Sequence, residues 1–69
     1  MDRQYIESKM IESIGFDETS CVLEVEFKKG VIWQYYDVPE SEWYSFKASD
    51  SKGTYFRVNI KDKYSGNRI

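Results

Sequence analysis

GVIWQYYDVP, residues 30–39, predicts the central strand of the protein. Large side chains that favour β-structure stand at alternate positions, Val31, Trp33 and Tyr35, which gives the segment a continuous apolar face. The segment ends at Pro39, which has no backbone N–H to donate to a neighbouring strand. The preceding residues are therefore expected to pair with this strand, and the following residues are expected to cover it.

The predicted central strand, residues 31–36, is apolar on its second face too, where Ile32 and Tyr36 lie. A strand that is covered on both sides, or whose second face meets a partner, has this composition. Trp33, Tyr35 and Tyr36 therefore form a candidate aromatic binding face. Burial in the core is the alternative for each of the three rings.

Residues 21–28 give the clearest strand pattern in the chain. Apolar and charged side chains alternate from residue 23 onward, which predicts one buried face and one solvent-exposed face, with Glu24 and Glu26 on the exposed one. Only residues 29–30 separate this segment from the central strand, and one of them is glycine. This spacing predicts a tight hairpin in which the two strands are antiparallel neighbours.

The first part of the chain predicts one further strand. Residues 10–16 alternate less regularly, and Gly15 within them indicates a bulge or a close approach of another backbone. Residues 17–20 have the composition of a turn. Residues 1–9 are polar and show no period, so they are expected to form a loose arm.

Residues 39–48 predict a helix that lies on the sheet. Proline suits the first helical turn, and Glu40 and Glu42 complement the positive end of the helix. Trp43 and Phe46 stand three residues apart and share one helical face. We therefore expect these two side chains in the core.

Residues 54–61 leave two assignments open. Phe56, Ile60 and Tyr64 recur every four residues, which favours a helix with one apolar stripe. Val58 is a poor helix former, which favours a strand.

Together these elements predict one α+β domain over residues 1–69, with a folded core over 10–64. The expected sheet is a three-stranded antiparallel β-meander, covered by one α-helix and followed by a second short helix. A chain of 69 residues suffices for a single domain, and its 17% aromatic content lets few positions fill a small core.

The composition disfavours several classes of function. Cys21 is the only cysteine, so no internal disulfide forms and a reducing, cytoplasmic location is expected. The chain has neither an apolar run that is long enough to span a membrane nor the apolar segment of a signal peptide. It also has no histidine, the commonest general base and metal ligand. We therefore expect no catalytic residue, no metal site and no cofactor.

Charge is distributed unevenly along the chain, whose net charge is −2. Residues 1–50 hold five basic and eleven acidic side chains, whereas residues 51–69 hold five basic and one acidic. The second segment is therefore expected to attract anions or an acidic partner.

The start of the second predicted helix is a candidate anion or nucleic-acid site, formed by Ser51, Lys52, Gly53, Arg57 and Lys61. If Ser51 caps the helix, the free backbone N–H groups and the helix dipole attract an anion, and Gly53 lets a phosphate approach the backbone. Arg57 and Lys61 lie one turn apart and extend the contact. A helix cap beside a solvated basic face is the alternative.

Four blocks in a fixed order resemble the KTSC domain, a family named after its occurrence at the C-terminus of some lysyl-tRNA synthetases. They are IGFD (14–17), LEVEF (23–27), an aromatic pair followed by VP (Trp33, Tyr35, Val38, Pro39) and SxGxYFxxxI (51–60). The resemblance covers residues 8–64 and implies a small protein that also occurs free-standing in bacteria and phages. It implies no catalytic residues, and RNA binding is implied only by the family's association with a tRNA synthetase. Trp33 replaces the first tyrosine of the family's Tyr-x-Tyr motif, which keeps an aromatic ring and removes a hydroxyl.

Two classes of function stay open for such a module. The first is docking on a protein partner, as a phage- or host-encoded accessory or inhibitor protein, or self-association through an edge strand. The second is binding of single-stranded RNA, tRNA or a small nucleotide or phosphate by the basic helix start and the aromatic face. Protein docking is favoured, because a pI of about 5.0 is well below that of a typical nucleic-acid binder.

Overall fold

In the computed structural model, which describes residues 1–69, five strands form one antiparallel sheet and two helices pack on one of its faces. In chain order the elements are β1 (Gln4–Tyr5), β2 (Ile11–Asp17), β3 (Val22–Phe27), β4 (Ile32–Tyr35), α1 (Glu40–Ala48), α2 (Lys52–Asn59) and β5 (Gly66–Arg68). The strands lie side by side in the order β1-β2-β3-β4-β5. The predicted α+β class, with two helices and an antiparallel sheet, is confirmed.

The sheet is wider than predicted, because a short strand is added at each edge, and the three-stranded meander is therefore wrong. β1 pairs Gln4 with Ile14 of β2, so residues 1–9 are not a loose arm. β5 pairs Gly66 with Tyr35 of β4. Backbone hydrogen bonds hold both added strands, and strands of two and three residues are too short for side-chain alternation to reveal.

The core lies between the sheet and the two helices. Ile14, Leu23 and Val25 of the sheet are fully buried, together with Phe46 of α1 and Ile60 at the end of α2. The sheet alternation and the helical stripes therefore meet at one apolar layer, as the sequence predicts.

Both helices follow the apolar stripes. α1 begins directly after Pro39, and its Phe46 is fully buried while Trp43 is partly buried. The Trp43 ring stacks on Phe16, with 5.6 Å between the ring centroids. The segment over 54–61, for which helix and strand stayed open, lies largely within α2, so the strand assignment is wrong.

Gly15 marks a close backbone approach, and the bulge lies elsewhere. The pairing of β2 with β3 shifts between Ile11 and Ser13. A Cβ atom at Gly15 would lie 2.5 Å from the backbone oxygen of Asp2. Glycine is therefore required where the N-terminal segment crosses β2.

Arg3 covers the second face of β3. Its guanidinium forms an ion pair with Glu24, which also accepts a hydrogen bond of 2.9 Å from the Gln34 amide. Glu26 accepts a hydrogen bond of 2.8 Å from the Ser13 hydroxyl. Glu24 is only 6% exposed, so its predicted place on a solvent-exposed face is wrong, because the N-terminal segment lays an arginine over it.

Glu42 joins the two helices to the turn before β5. Its carboxylate, 8% exposed, accepts hydrogen bonds from the Tyr55 hydroxyl of α2, the Tyr64 hydroxyl at 2.9 Å and the Lys63 ammonium at 3.0 Å. Burial raises the pKa of the Glu42 carboxyl, but the three donors outweigh burial and hold this pKa below its usual range. The group is therefore a charged, fully bonded anchor inside the fold.

Gly15→Ala is expected to lower the free energy of unfolding by about 1–3 kcal/mol, because the added methyl group forces the backbone at Asp2 away from β2. Urea denaturation followed by circular dichroism measures the change. Gly53→Ala is the matched control: its added Cβ would be 3.5 Å from Met10, and alanine favours a helix over glycine by up to about 1 kcal/mol. Equal stability of the two variants would contradict the crossing at Gly15.

Glu42→Gln is expected to destabilise the protein by about 1–3 kcal/mol, because the amide leaves charged and hydroxyl donors without their carboxylate. Glu40→Gln is the control, since both acids lie in the first turn of α1 and the difference between the variants removes the helix-dipole contribution. Thermal unfolding of both variants measures the effect. A Glu42→Gln protein as stable as the Glu40→Gln protein would show that the anchor contributes nothing.

The Glu42 anchor also predicts an acid-sensitive fold. Because the pKa of Glu42 is lower in the folded chain than in the unfolded one, its stabilisation is present above the unfolded value and is lost as the pH falls through the folded value. Urea midpoints of the wild type and Glu42→Gln are therefore expected to differ at neutral pH and to converge under acid conditions. A constant difference across this range would exclude the ionised carboxylate as the cause.

Candidate functional site

A groove of about 460 Å³ lies between α2 and the side of the sheet formed by β4 and β5. Its floor is apolar and its rim is charged. The floor consists of Phe27, Val31, Trp33, Tyr35 and Phe56, and the rim carries Lys29, Arg57, Lys61 and Asp62, with Met10 and Gly66 at the ends. The groove thus brings parts of the predicted aromatic face and of the predicted basic segment into one place.

Strand β4 supplies the aromatic floor. Alternation places Trp33 and Tyr35 on the helix side of the sheet, where their rings are stacked with centroids 6.1 Å apart. Tyr35 also meets the Phe56 ring edge to face at 5.5 Å. Trp33 is half-buried and keeps surface open to a ligand, whereas Tyr36 follows β4 and does not line the groove. Two of the three predicted aromatic residues therefore lie in the candidate site.

The Tyr35 hydroxyl is an unused hydrogen-bond donor. The side chain is only 4% exposed, and its hydroxyl bonds to no other protein group. The protein has no fully buried polar side-chain atom without a partner, so this hydroxyl reaches the open space of the groove. Burial raises the pKa of the Tyr35 phenol, and the nearby Asp62 carboxylate raises it further. The group therefore stays protonated at neutral pH and can donate to a ligand.

Gly66 lets the Tyr35 ring lie across β5. A Cβ atom at Gly66 would overlap the ring atoms Cε1 and Cδ1 of Tyr35. The residue paired with Tyr35 in the sheet must therefore have no side chain.

The cations of the rim are free of ion pairs. Lys29, Arg57 and Lys61 are exposed, and none lies within salt-bridge distance of a carboxylate. Arg68 is paired with Trp33 across β4 and β5, so its side chain lies on the groove side of the sheet, and it too forms no salt bridge. Asp62 is the only acidic residue that lines the groove. This side of an acidic protein is therefore locally positive.

The predicted anion site at the start of α2 is divided between two places. Arg57 lines the groove, but it also borders a second hollow that contains Ser51, Lys52 and Gly53. Ser51 makes no side-chain cap to the helix, because its hydroxyl bonds to the Thr54 hydroxyl at 3.0 Å. Ser51 thus occupies the expected N-cap position, but the expected side-chain hydrogen bond to the helix is absent.

The second hollow has mixed charge. The Lys52 ammonium donates to the Ser49 carbonyl at 2.9 Å, and Glu7 and Asp50 line the same space. Only Arg57 and Lys61 of the five predicted residues thus lie in the aromatic groove.

Lys63 differs from the other cations of residues 51–69. Lys63 is bound by Glu42 and is the one cation of residues 51–69 that forms an ion pair. No group of three or more His, Cys, Asp or Glu side chains lies close enough together to bind a metal ion. None of the helices has both the length and the apolar composition needed to cross a membrane.

Sequence reasoning missed several residues of the groove. The sequence places Lys29 only in a hairpin, and Gly66 belongs to β5, a strand that the sequence does not predict. The excess of basic residues after position 50 and the aromatic alternation of β4 are the signals that point to this side of the molecule.

A family model and a solved structure agree on one family. The family model of the KTSC domain matches residues 7–64. A KTSC domain protein from Yersinia pestis, solved by crystallography, superposes with a TM-score of 0.93 at 38% identity, over 99% of this chain and 96% of that one.

Two relatives match in sequence alone. An uncharacterized protein of Stutzerimonas stutzeri is 31% identical over 64 residues, which cover 93% of this chain and 90% of that protein. A protein of Tsukamurella paurometabola is 30% identical over 61 residues, which cover 88% of this chain and 91% of that protein. The chain belongs to the KTSC domain family.

Proposed function

We propose that the protein is a non-catalytic binding module of the cytoplasm that docks an acidic segment of a protein partner in the groove. One observation carries the proposal: unpaired cations surround an aromatic floor in a protein whose net charge is −2. An apolar floor supplies most of the binding free energy, and the charged rim selects the partner and speeds its encounter.

The side chains of the groove support binding rather than catalysis. The chain has no histidine, and Cys21 does not line the groove. The groups of the groove that could act as a general base or nucleophile are the Asp62 carboxylate, the two lysine amines and the Tyr35 phenol. None of these bases is hydrogen bonded to a nucleophile, as activation for catalysis requires.

The size of the groove limits the partner to a short segment. A volume of about 460 Å³ holds a few side chains. A standard protein–protein interface buries many more residues on each side. The exposed cations contribute little affinity each, because surface ion pairs are worth about 0–1 kcal/mol. We therefore expect weak, reversible docking with a clear dependence on salt.

Single-stranded RNA is a second candidate for the same groove. The half-buried Trp33 ring lies beside unpaired Lys29, Arg57 and Lys61, and a base that stacks on such a ring gains about 1–3 kcal/mol. The rest of the groove does not favour RNA, because Tyr35 has almost no exposed ring face and Asp62 repels phosphate. A single nucleotide or a phosphate is the smallest ligand of this class.

Arg57→Ala combined with Lys61→Ala is expected to weaken binding of acidic peptides about tenfold, because two charge contacts are lost. The probes are a library of short, capped, fluorescently labelled peptides in which Glu alternates with each apolar residue, and a short oligouridylate. Fluorescence anisotropy at low and moderate salt measures affinity. Trp33→Ala is expected to cause a loss of similar size by removing part of the floor.

Lys28→Ala is the matched control, since Lys28 is exposed beside Lys29 but does not line the groove. Its affinity should stay within about twofold of the wild type. Failure of every acidic peptide to bind, or equal effects of the control and groove variants, would overturn docking in the groove. Binding of oligouridylate alone, with a steep salt dependence that flattens in the double variant, would assign the groove to RNA.

A further inference from the structure

We propose that the acidic partner segment binds as a sixth strand along the free edge of β5, with every second side chain directed into the groove. The inference rests on the proposed docking function and specifies how the partner is held. Its occupant is an extended, acidic segment of a protein partner.

The backbone of β5 has an unpaired side. The Tyr36 N–H donates to the Ser65 carbonyl, and the Ile69 N–H donates to the Ile32 carbonyl, both at 2.9 Å. Hydrogen bonding alternates along an antiparallel strand, so β4 is faced by the backbone N–H and C=O groups of Ser65, Asn67 and Ile69. The N–H and C=O groups of Gly66 and Arg68 therefore point away from the sheet, and no other backbone group bonds to them.

This edge has two features that limit strand addition, a length of three residues and the charge of Arg68, but it lacks other protection. All three residues of β5 are exposed, and no helix or loop covers them. The strand contains no proline and its pairing with β4 is regular, so neither of two common blocking devices is present. The opposite edge, β1, is less suitable, because it has two residues and lies on the far side of the sheet from the groove.

The free edge and the groove form one continuous surface. Gly66 lines the groove, and the Tyr35 ring lies over Gly66, which brings the unused Tyr35 hydroxyl toward the edge. A strand added to β5 places alternate side chains on the groove side of the sheet. A carboxylate on that side accepts a hydrogen bond from the phenol and faces Arg68 and Lys61, which are both unpaired.

Charge selects the class of partner for this edge. Arg68 lies on the edge strand itself, Arg57 and Lys61 lie across the groove, and Asp62 is the single opposing charge. An acidic strand gains from each of these cations, whereas a basic strand is repelled. Backbone pairing supplies a second component that does not depend on side chains, as in other β-strand additions.

Arg68→Pro and Arg68→Ala separate backbone pairing from charge. Proline removes the outward N–H and, since this N–H makes no bond to β4, leaves the internal ladder intact. Both variants lose the same charge. The probe is the acidic peptide of the library that binds most tightly. Arg68→Ala is expected to weaken its binding about threefold, and Arg68→Pro is expected to bind about tenfold more weakly than Arg68→Ala.

A change in the ligand tests the same point in an unaltered protein. The probe peptide is resynthesised with N-methyl groups on alternate residues, first in one register and then in the other. Methylation in one register should abolish binding, and methylation in the other register should leave binding intact, because only one edge of the added strand faces β5. Thermal melts of both Arg68 variants verify that the fold is kept.

Three outcomes would overturn the proposal. If Arg68→Pro binds like Arg68→Ala and both methylated peptides bind equally, strand addition is wrong, whereas docking in the groove stands as long as Arg57→Ala and Lys61→Ala weaken binding. If the wild type dimerises in light scattering and Arg68→Pro is monomeric, the occupant is a second copy of this chain. If oligouridylate displaces the peptide and has the higher affinity of the two, the occupant is a nucleic acid. The docking proposal then fails as well.

Discussion

The buried carboxylate of Glu42 is the interaction on which the arrangement of the C-terminal half depends. It belongs to α1, yet its donors come from α2 and from the turn that leads into β5. One ionised group therefore fixes both helices and the position from which β5 returns to the sheet. The cost of burying a charge is offset because all three donors reach it and no fully buried side-chain polar atom is left unpaired. The same contact pairs Lys63, whereas Arg57 and Lys61 at the groove and Arg68 on β5 form no ion pair.

Those parts of the fold that depend on side-chain periodicity were predictable from sequence. The alternation over β3 and β4 predicted the central hairpin, and the four-residue stripe of Phe56 and Ile60 favoured the helix found as α2 but left a strand open. The edge strands were not predictable, because they are held by backbone pairing and by single contacts. Arg3 on Glu24 and Tyr35 over Gly66 join residues far apart in the chain, and no local pattern reports such a contact.

The candidate site was predictable only in pieces. Trp33 and Tyr35 could be assigned to one face of a strand, and Arg57 and Lys61 to one basic segment, but nothing in the sequence required that they meet. The helix that carries Arg57 had first to be distinguished from a strand, and its position against the sheet then determined which cations border the aromatic floor. By sequence, the predicted anion site also includes Ser51, Lys52 and Gly53. In the fold, however, these three residues line a separate hollow that contains two carboxylates. Charge and aromatic content thus suggest the kind of surface, while the fold determines which residues form it.

The strand order has a consequence for the way the chain folds and opens. β1 to β4 each pair with their neighbour in sequence, so their ladders close over short loops at little entropic cost. β5 pairs with β4 across residues 36–65, a connection that contains both helices. We expect it to join the sheet last and to detach first, as a separate unit of low local stability. If a partner binds this edge as proposed, it stabilises the closed sheet and slows the exchange of the β5 amide hydrogens, which we expect to be rapid.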